Sequence, residues 1–333
     1  MPKLCYVDDA LPGITRRKIG RAWGYFDADS RRITDRDEID RLNAVALPPA
    51  YVDAWFCPSP HGHIQATAYD DKGRKQYRYH PDFRARKESE KYDRCGDFGR
   101  ALPLIRARVE SDLRRTAIGK ERAVAAVVRL LDLGHLRVGN ESYAKANKSF
   151  GATTLRNRHA TVKGSTLKLS YRAKSGKDVT MKITDGSLAR FVKRCQDLPG
   201  QHLFQYLDSD GTPHAVTSTD VNDYLRDAAG DHFTAKNFRT WGASVLAFAA
   251  LHASGGRMPL KALLEPVCAA LGNTPAIARK SYVHPALTAL AATKGENPLP
   301  LHLPRATRYL SRAERGLIEY LDGLSASSAK RAA

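Results

Sequence analysis

The sequence predicts an α+β protein, with a small β-rich N-terminal domain followed by a larger, mainly α-helical domain that carries one β-hairpin. Three observations lead there. Short strand-like segments bounded by turn residues fill residues 1–80. Apolar residues at helical spacing take over after His80-Pro81. Two alternating stretches, 166–171 and 178–183, then flank the loop Arg172-Ala173-Lys174-Ser175-Gly176-Lys177. The expected domains are 1–85 and 86–325, with a flexible tail at 326–333.

In the first domain, Ala22-Trp23-Gly24-Tyr25-Phe26-Asp27 reads as a strand leading to a turn. Further strands are expected at 54–57 and 63–69, followed by a turn at Asp70-Asp71-Lys72-Gly73. Asp35 is placed to cap a helix over 35–42. The charged segment 82–97 has few apolar residues and reads as a linker-plus-helix boundary. Helices follow at 102–116 and 120–133; in the second, Ala123, Val124, Val127, Val128, Leu130 and Leu131 form the apolar stripe. Beyond the hairpin, Thr217-x-x-Asp220 starts one helix and Thr234 caps another running through Leu246. Thr274-Pro275 sets a cap and a proline at the first helical position of a short helix ending near Tyr282. Ser311-x-x-Glu314 is a capping box for the last helix, and residues after Ser325 read as a frayed tail. No internal repeat is visible.

At 333 residues, the chain can hold two or three domains with real cores. Its 54 Lys and Arg exceed 35 Asp and Glu, a net of +19. Residues 1–90 are nearly balanced, with 16 bases against 14 acids; the remainder holds 38 against 21. No block of like charge suggests a disordered tail, so this field decorates folded surface. It points to a polyanionic partner, nucleic acid first. The five cysteines are widely spaced with no C-x-x-C, which reads as reduced thiols in a cytosolic protein without a zinc site. His61-Gly62-His63 lacks the further ligands a metal needs and reads as turn chemistry. No apolar leader is present, and the longest apolar run, 241–253, is too short to span a bilayer, so it reads as a buried helix. A cytoplasmic, nucleoid-associated protein without membrane contact is therefore expected.

Four stretches could carry chemistry. They are Leu136-Arg137-Val138-Gly139-Asn140-Glu141-Ser142-Tyr143, the hairpin loop with Lys174, the run 234–241 with Lys236 and Arg239 at i, i+3, and 271–285 with Asn273 and Tyr282. Taken singly, each also has an ordinary structural reading: a helix-end cation, a solvated lysine, a surface ion pair, a core tyrosine. Taken in order, R-V-G-x-x-x-Y at 137–143, A-K-x-G at 173–176, T-A-K-x-F-R-T at 234–240 and R-K-S-Y-V-H-P at 279–285 resemble the type IB DNA topoisomerases, in particular the small bacterial members related to the poxvirus enzyme. Gly73-Arg74-Lys75-Gln76-Tyr77-Arg78-Tyr79 resembles that family's DNA-contacting strand, so the likeness covers most of the chain.

The resemblance implies Tyr282 as nucleophile, Arg137 and Arg239 as the pair gripping the non-bridging phosphate oxygens, and Lys174 as general acid. Many members carry histidine nine residues before the tyrosine; here that place is Asn273. An amide can donate a hydrogen bond but cannot shuttle a proton, so its implied role is oxyanion stabilisation. Lys75, Tyr77, Tyr79, Arg86, Tyr143 and Lys236 are the expected DNA contacts. Tyr77 and Tyr79 alternate along a strand and should share one face.

This residue set suits phosphodiester chemistry. Planar guanidinium groups bind two oxygens at once and stay charged. Two of them and an amide can stabilise the transition state without a metal. The arginines also favour phenolate at Tyr282. The departing deoxyribose 5′-oxygen is a strong base and needs a proton, which an ammonium such as Lys174 can supply. A 3′-phosphotyrosyl ester keeps the bond energy, in line with the lack of a GxxxxGK[ST] nucleotide loop, so no cofactor is expected. The expected activity is relaxation of supercoiled double-stranded DNA by a monomer whose two lobes clamp the duplex. The alternatives are a tyrosine site-specific recombinase, which usually shows H-x-x-R where this chain has Lys236-Asn237-Phe238-Arg239, and a non-catalytic DNA-binding clamp.

Overall fold

The structure is a computed structural model that describes residues 3–230, 233–292, 299 and 302–332. The chain divides into two compact units, Met1–Lys91 and Tyr92–Ala333.

Five strands build the first unit: β1 (Ile14–Ile19), β2 (Ala22–Phe26), β3 (Val52–Phe56), β4 (Ile64–Tyr69) and β5 (Lys75–Tyr79). They form one antiparallel sheet in the order β2-β1-β3-β4-β5, with α1 (Arg36–Ala44) between β2 and β3 in the chain. Asp35 caps α1 by accepting from the amides of Asp37 and Glu38. Leu42 of α1 joins Ile14, Tyr25, Leu47, Phe56, Ala66 and Ala68 in the core. β1 escapes the alternation pattern because Arg16-Arg17-Lys18 fill its middle. Arg16 pairs with the carbonyls of Leu47, Pro48 and Tyr51 and lies over the Trp23 ring. His63, read as turn chemistry, accepts from the Val7 amide through Nδ1 and packs on Tyr6 and Phe83.

The charged stretch after β5 is a continuous helix, α2 (Pro81–Asp93). Ion pairs Arg84–Glu88, Arg86–Glu90 and Lys87–Glu90 lie at helical spacing along it. The charge that suggested a linker is therefore the solvated face of a helix.

The second unit is mainly helical. It runs α3 (Cys95–Leu113), α4 (Lys120–Gly134) and α5 (Glu141–Asn147), then β6 (Ala160–Lys163), β7 (Thr166–Arg172) and β8 (Asp178–Thr184). After α6 (Gly186–Gln196), the short strands β9 (Gln205–Leu207) and β10 (Pro213–Ala215) pair with each other. The rest is α7 (Ser218–Ala229), α8 (Ala235–Ala253), α9 (Leu260–Leu271), α10 (Pro275–Ser281), α11 (Pro285–Ala292) and α12 (Arg312–Ala332). β7 and β8 make the expected hairpin, and β6 adds a third antiparallel strand. α3 starts earlier than its apolar spacing suggested, α8 continues past 246 to Ala253, and α12 stays helical through the stretch read as a frayed tail.

α4 and α8 form the middle of the core, with Ala123 through Val128 and Leu130 and Leu131 buried on α4. Phe238, Trp241, Ala247, Phe248 and Leu251 of α8 are buried in the same cluster. A cluster of charged groups is built against it. Arg106 of α3 forms ion pairs with Asp132 of α4 (2.8 Å) and Glu314 of α12 (2.7 Å), and Glu314 also accepts from Trp241 Nε1. Although burial opposes charge on Arg106, its two carboxylate partners win and raise its pKa. This pins three helices around the end of α4, where the site begins.

Candidate active site

α4 stops at Gly134, and His135 turns the chain with left-handed backbone (φ 50°). Arg137 follows two residues later. Its carbonyl accepts from the Ala152 amide at 2.9 Å, and the Val138 carbonyl accepts from Thr153 N–H at 2.7 Å. Gly151 makes this close approach possible: a Cβ there would lie 2.6 Å from the Arg137 carbonyl oxygen.

Arg239 sits in the second turn of α8 and is only 4% exposed. It donates to the carbonyl of His135 and, at 3.2 Å, to that of Leu271. Both carbonyls stand at helix C-termini, of α4 and α9, where backbone acceptors are left over and the helix dipole is negative. The fold thus seats a buried cation between two negative helix ends. Burial lowers the Arg239 pKa, and the Tyr282 phenol pushes the other way; a guanidinium stays charged regardless.

Gly272 closes α9 with left-handed backbone (φ 65°), and Asn273 follows it. Thr274 then caps α10 by accepting from the Ile277 amide. Asn273 is buried, and its Oδ1 accepts from Arg137 Nη2 at 2.8 Å. Because a guanidinium only donates, this bond fixes which end of the amide faces Arg137. Asn273 Nδ2 is then left buried without a protein partner, and so is Arg239 Nε. An unpaired buried donor costs about 1–3 kcal/mol. These two donors lie on residues adjoining Arg137 and Tyr282.

Tyr282 lies where α10 ends, its amide donating to Ala278 at 3.1 Å. The Arg239 guanidinium carbon is 4.7 Å from its ring centroid. Burial alone would push the Tyr282 phenol up. Arg239, with Arg137 and Lys236, outweighs burial and holds it below the ordinary value near 10. Ser244, fully buried on α8, donates to the Thr240 carbonyl at 2.8 Å and accepts from His284 N–H at 3.0 Å, with the Tyr282 carbonyl 3.4 Å from the same Oγ. It ties the backbone after Val283 to α8, and no motif includes it. Its signal was a polar residue inside the apolar run 241–253.

The structure therefore brings Arg137, Arg239, Asn273 and Tyr282 together. Lys174 stands exposed on the β7–β8 loop and shares with Arg137 and Tyr143 the lining of a cavity of about 170 Å³. Lys236 is exposed one helical turn before Arg239. In the first unit, Tyr77 and Tyr79 stack on one face of β5, with centroids 5.9 Å apart and planes 8° from parallel, both partly exposed. Lys75 is held by Asp9 at 2.6 Å. Arg86 pairs with Glu90 and donates to the Tyr6 hydroxyl. Among the described residues, no group of three or more His, Cys, Asp or Glu is placed to hold a metal, and no helix is long and apolar enough to cross a membrane.

Two family models match the chain. "Eukaryotic DNA topoisomerase I, catalytic core" matches residues 80–283, and "Bacterial DNA topoisomerase IB, N-terminal domain" matches residues 22–70. The chain is 31% identical over 287 residues to DNA topoisomerase 1B of Acanthamoeba polyphaga mimivirus, covering 82% of this chain and 85% of the relative. It is 26% identical over 222 residues to DNA topoisomerase 1 of Mycosarcoma maydis, covering 60% of this chain and 22% of that protein. Among solved structures, the XerH site-specific recombinase bound to difH substrate in a pre-cleavage complex is similar at TM-score 0.36 and 14% identity, covering 58% of this chain and 52% of that one.

Proposed function

Since the chain belongs to the type IB DNA topoisomerases, we propose that it relaxes supercoiled double-stranded DNA through a transient 3′-phosphotyrosyl bond at Tyr282, without ATP or metal. The observation that carries this reading is the meeting of Arg137, Asn273 and Arg239 beside Tyr282, whose phenol Arg239 and Arg137 hold below its ordinary pKa against burial.

The Tyr282 phenol, its pKa lowered by Arg239 and Arg137, loses its proton to solvent, and the phenolate oxygen attacks phosphorus and forms a P–O bond. Charge grows on the non-bridging oxygens, where Arg137, Arg239 and Asn273 donate to them; one such donor is worth about 3 kcal/mol of transition-state stabilisation. As the P–O5′ bond breaks, Lys174 gives the leaving oxygen its proton. The free 5′ end can then rotate, and the reverse steps reseal the strand. Stacked Tyr77 and Tyr79, with Lys75, Arg86, Tyr143 and Lys236, supply DNA contacts, and the protein acts as a monomer. The reading places the protein with cytoplasmic, nucleoid DNA.

Covalent trapping tests the reading. Denaturing a reaction with labelled duplex should leave protein linked to the 3′ side of the break at Tyr282. Tyr282→Phe should lose the linkage, and relaxation with it, while keeping salt-sensitive binding. Relaxation by Tyr282→Phe, or a covalent peptide mapping elsewhere, sinks the assignment.

A further inference from the structure

We propose that Lys177 is a positioning residue for Lys174, its ammonium latching the hairpin loop onto the Gly272 carbonyl beside Asn273. The inference rests on the reading of Lys174 as general acid.

The loop is built as a block. Ala173 N–H donates to the Lys177 carbonyl at 2.7 Å, and Gly176 N–H donates to the Ala173 carbonyl at 3.1 Å. Ser175 and Gly176 both take left-handed backbone (φ 66° and 72°). Gly176 also lies against Arg172, where an added Cβ would be 2.9 Å from Nη2. Such a closed turn carries Lys174 and Lys177 as two arms of one body, so fixing one arm orients the other.

The ribbon below the loop is not packed down on α9. A cavity of about 380 Å³ is lined by β8, by the end of α4 and by the end of α9, with Arg137, Tyr171, Arg239 and Leu271 among its walls. Core packing therefore does not set the distance between the loop and the Asn273 segment. The structure joins them by a polar contact: Lys177 Nζ donates to the Gly272 carbonyl oxygen at 3.1 Å. That carbonyl follows the C-terminus of α9, where a cation is favoured. It also immediately precedes Asn273, whose oxygen is bonded to Arg137. Lys177 thus ties the loop bearing the acid to the residues that grip the phosphate.

In cleavage, the P–O5′ bond breaks as Tyr282 oxygen bonds to phosphorus, and the proton on Lys174 Nζ moves to O5′. When sulfur replaces the bridging 5′-oxygen, the thiolate leaves without a proton, so an acid misplaced by losing the latch no longer matters. This separates positioning from DNA grip. Single-turnover cleavage, with enzyme in excess, should be measured on both substrates for Lys177→Ala, Lys177→Arg and Lys174→Ala. Lys177→Ala should slow the oxygen substrate about 10-fold and the sulfur substrate less than about 2-fold. Lys177→Arg, which can still donate to Gly272, should restore most of the rate. Equal slowing of both substrates, or no slowing of either, overturns the latch. Lys174→Ala serves as the reference: if sulfur does not rescue it, the general-acid reading fails and the latch with it. If sulfur rescues Lys174→Ala while Lys177→Ala stays slow on both substrates, only the latch fails.

Discussion

Arg239 and Lys174 are cations proposed to act on the same phosphate, yet they are held in opposite ways. Arg239 is buried at 4% exposure, seated on two helix-end carbonyls and stacked near Tyr282. Lys174 is exposed on a hairpin loop beside a cavity it shares with Arg137. The difference matches two chemical jobs. Charge stabilisation works best from groups that do not reorganise and are shielded from water. Proton donation needs an ammonium that can approach the leaving oxygen and be replenished from solvent.

The sharpest way to break this comparison is Arg239→Lys, which keeps the charge but removes the planar fork. A lysine cannot donate to the His135 and Leu271 carbonyls and to a phosphate in that geometry. Cleavage should fall about 10³-fold, measured in a single turnover at saturating enzyme. A loss below about 10-fold would mean that charge alone suffices and that the helix-end seat is incidental.

Asn273→Ala comes next. It removes the unpaired Nδ2 donor and frees Arg137 Nη2 from its 2.8 Å partner. Transesterification should slow about 10²-fold, with DNA affinity little changed because ground-state grip lies elsewhere. A variant that loses affinity while cleaving normally once bound would return Asn273 to a structural role.

The legible and illegible parts of this molecule divide along similar lines. Caps were readable because a side chain and its backbone donor lie two or three residues apart: Asp35, Thr217 and Thr274 all do what their spacing implies. The hairpin and the short helix before Tyr282 were readable for the same reason. β1 was not, because its Arg16 serves tertiary partners 31 to 35 residues away. Of the five residues the family resemblance picks out, Arg137, Arg239, Asn273 and Tyr282 lie together, and Lys174 stands on its exposed loop. Their supports did not show, since these come from distant chain segments: Gly151 under Arg137, the His135 and Leu271 carbonyls under Arg239, Ser244 behind Tyr282. Motifs name the candidate groups; the long-range hydrogen bonds that hold them leave little local pattern.

Ser244→Ala tests that last point. It deletes the acceptor for His284 N–H, in a fully buried place 3.4 Å from the Tyr282 carbonyl. The nucleophile should lose its fixed approach, and cleavage should slow about 10-fold at unchanged DNA affinity. Resealing of a preformed covalent complex should slow alike, because the same backbone carries the phosphotyrosine. Slowing of cleavage alone would argue for an effect on the free enzyme instead.

The smallest effect expected is electrostatic, and it returns to the buried and exposed cations. Tyr282 is held below its ordinary pKa, with Arg239 the largest opposing charge to burial and Lys236 the last of the contributors. If Tyr282 attacks as phenolate, as proposed, the cleavage rate should rise with pH along a limb lying below the usual tyrosine range. Removing a cation raises the phenol pKa and moves that limb to higher pH. Lys236→Gln should move it by less than about one unit. Because Lys236 is exposed, salt should screen its share: the displacement between parent and variant should shrink as ionic strength rises toward about 0.5 M, where the Debye length falls to a few ångströms. The residual lowering in the variant, owed to buried Arg239, should resist the same salt. If salt abolishes the whole depression, the cradle is open to solvent and burial does not separate the two cations.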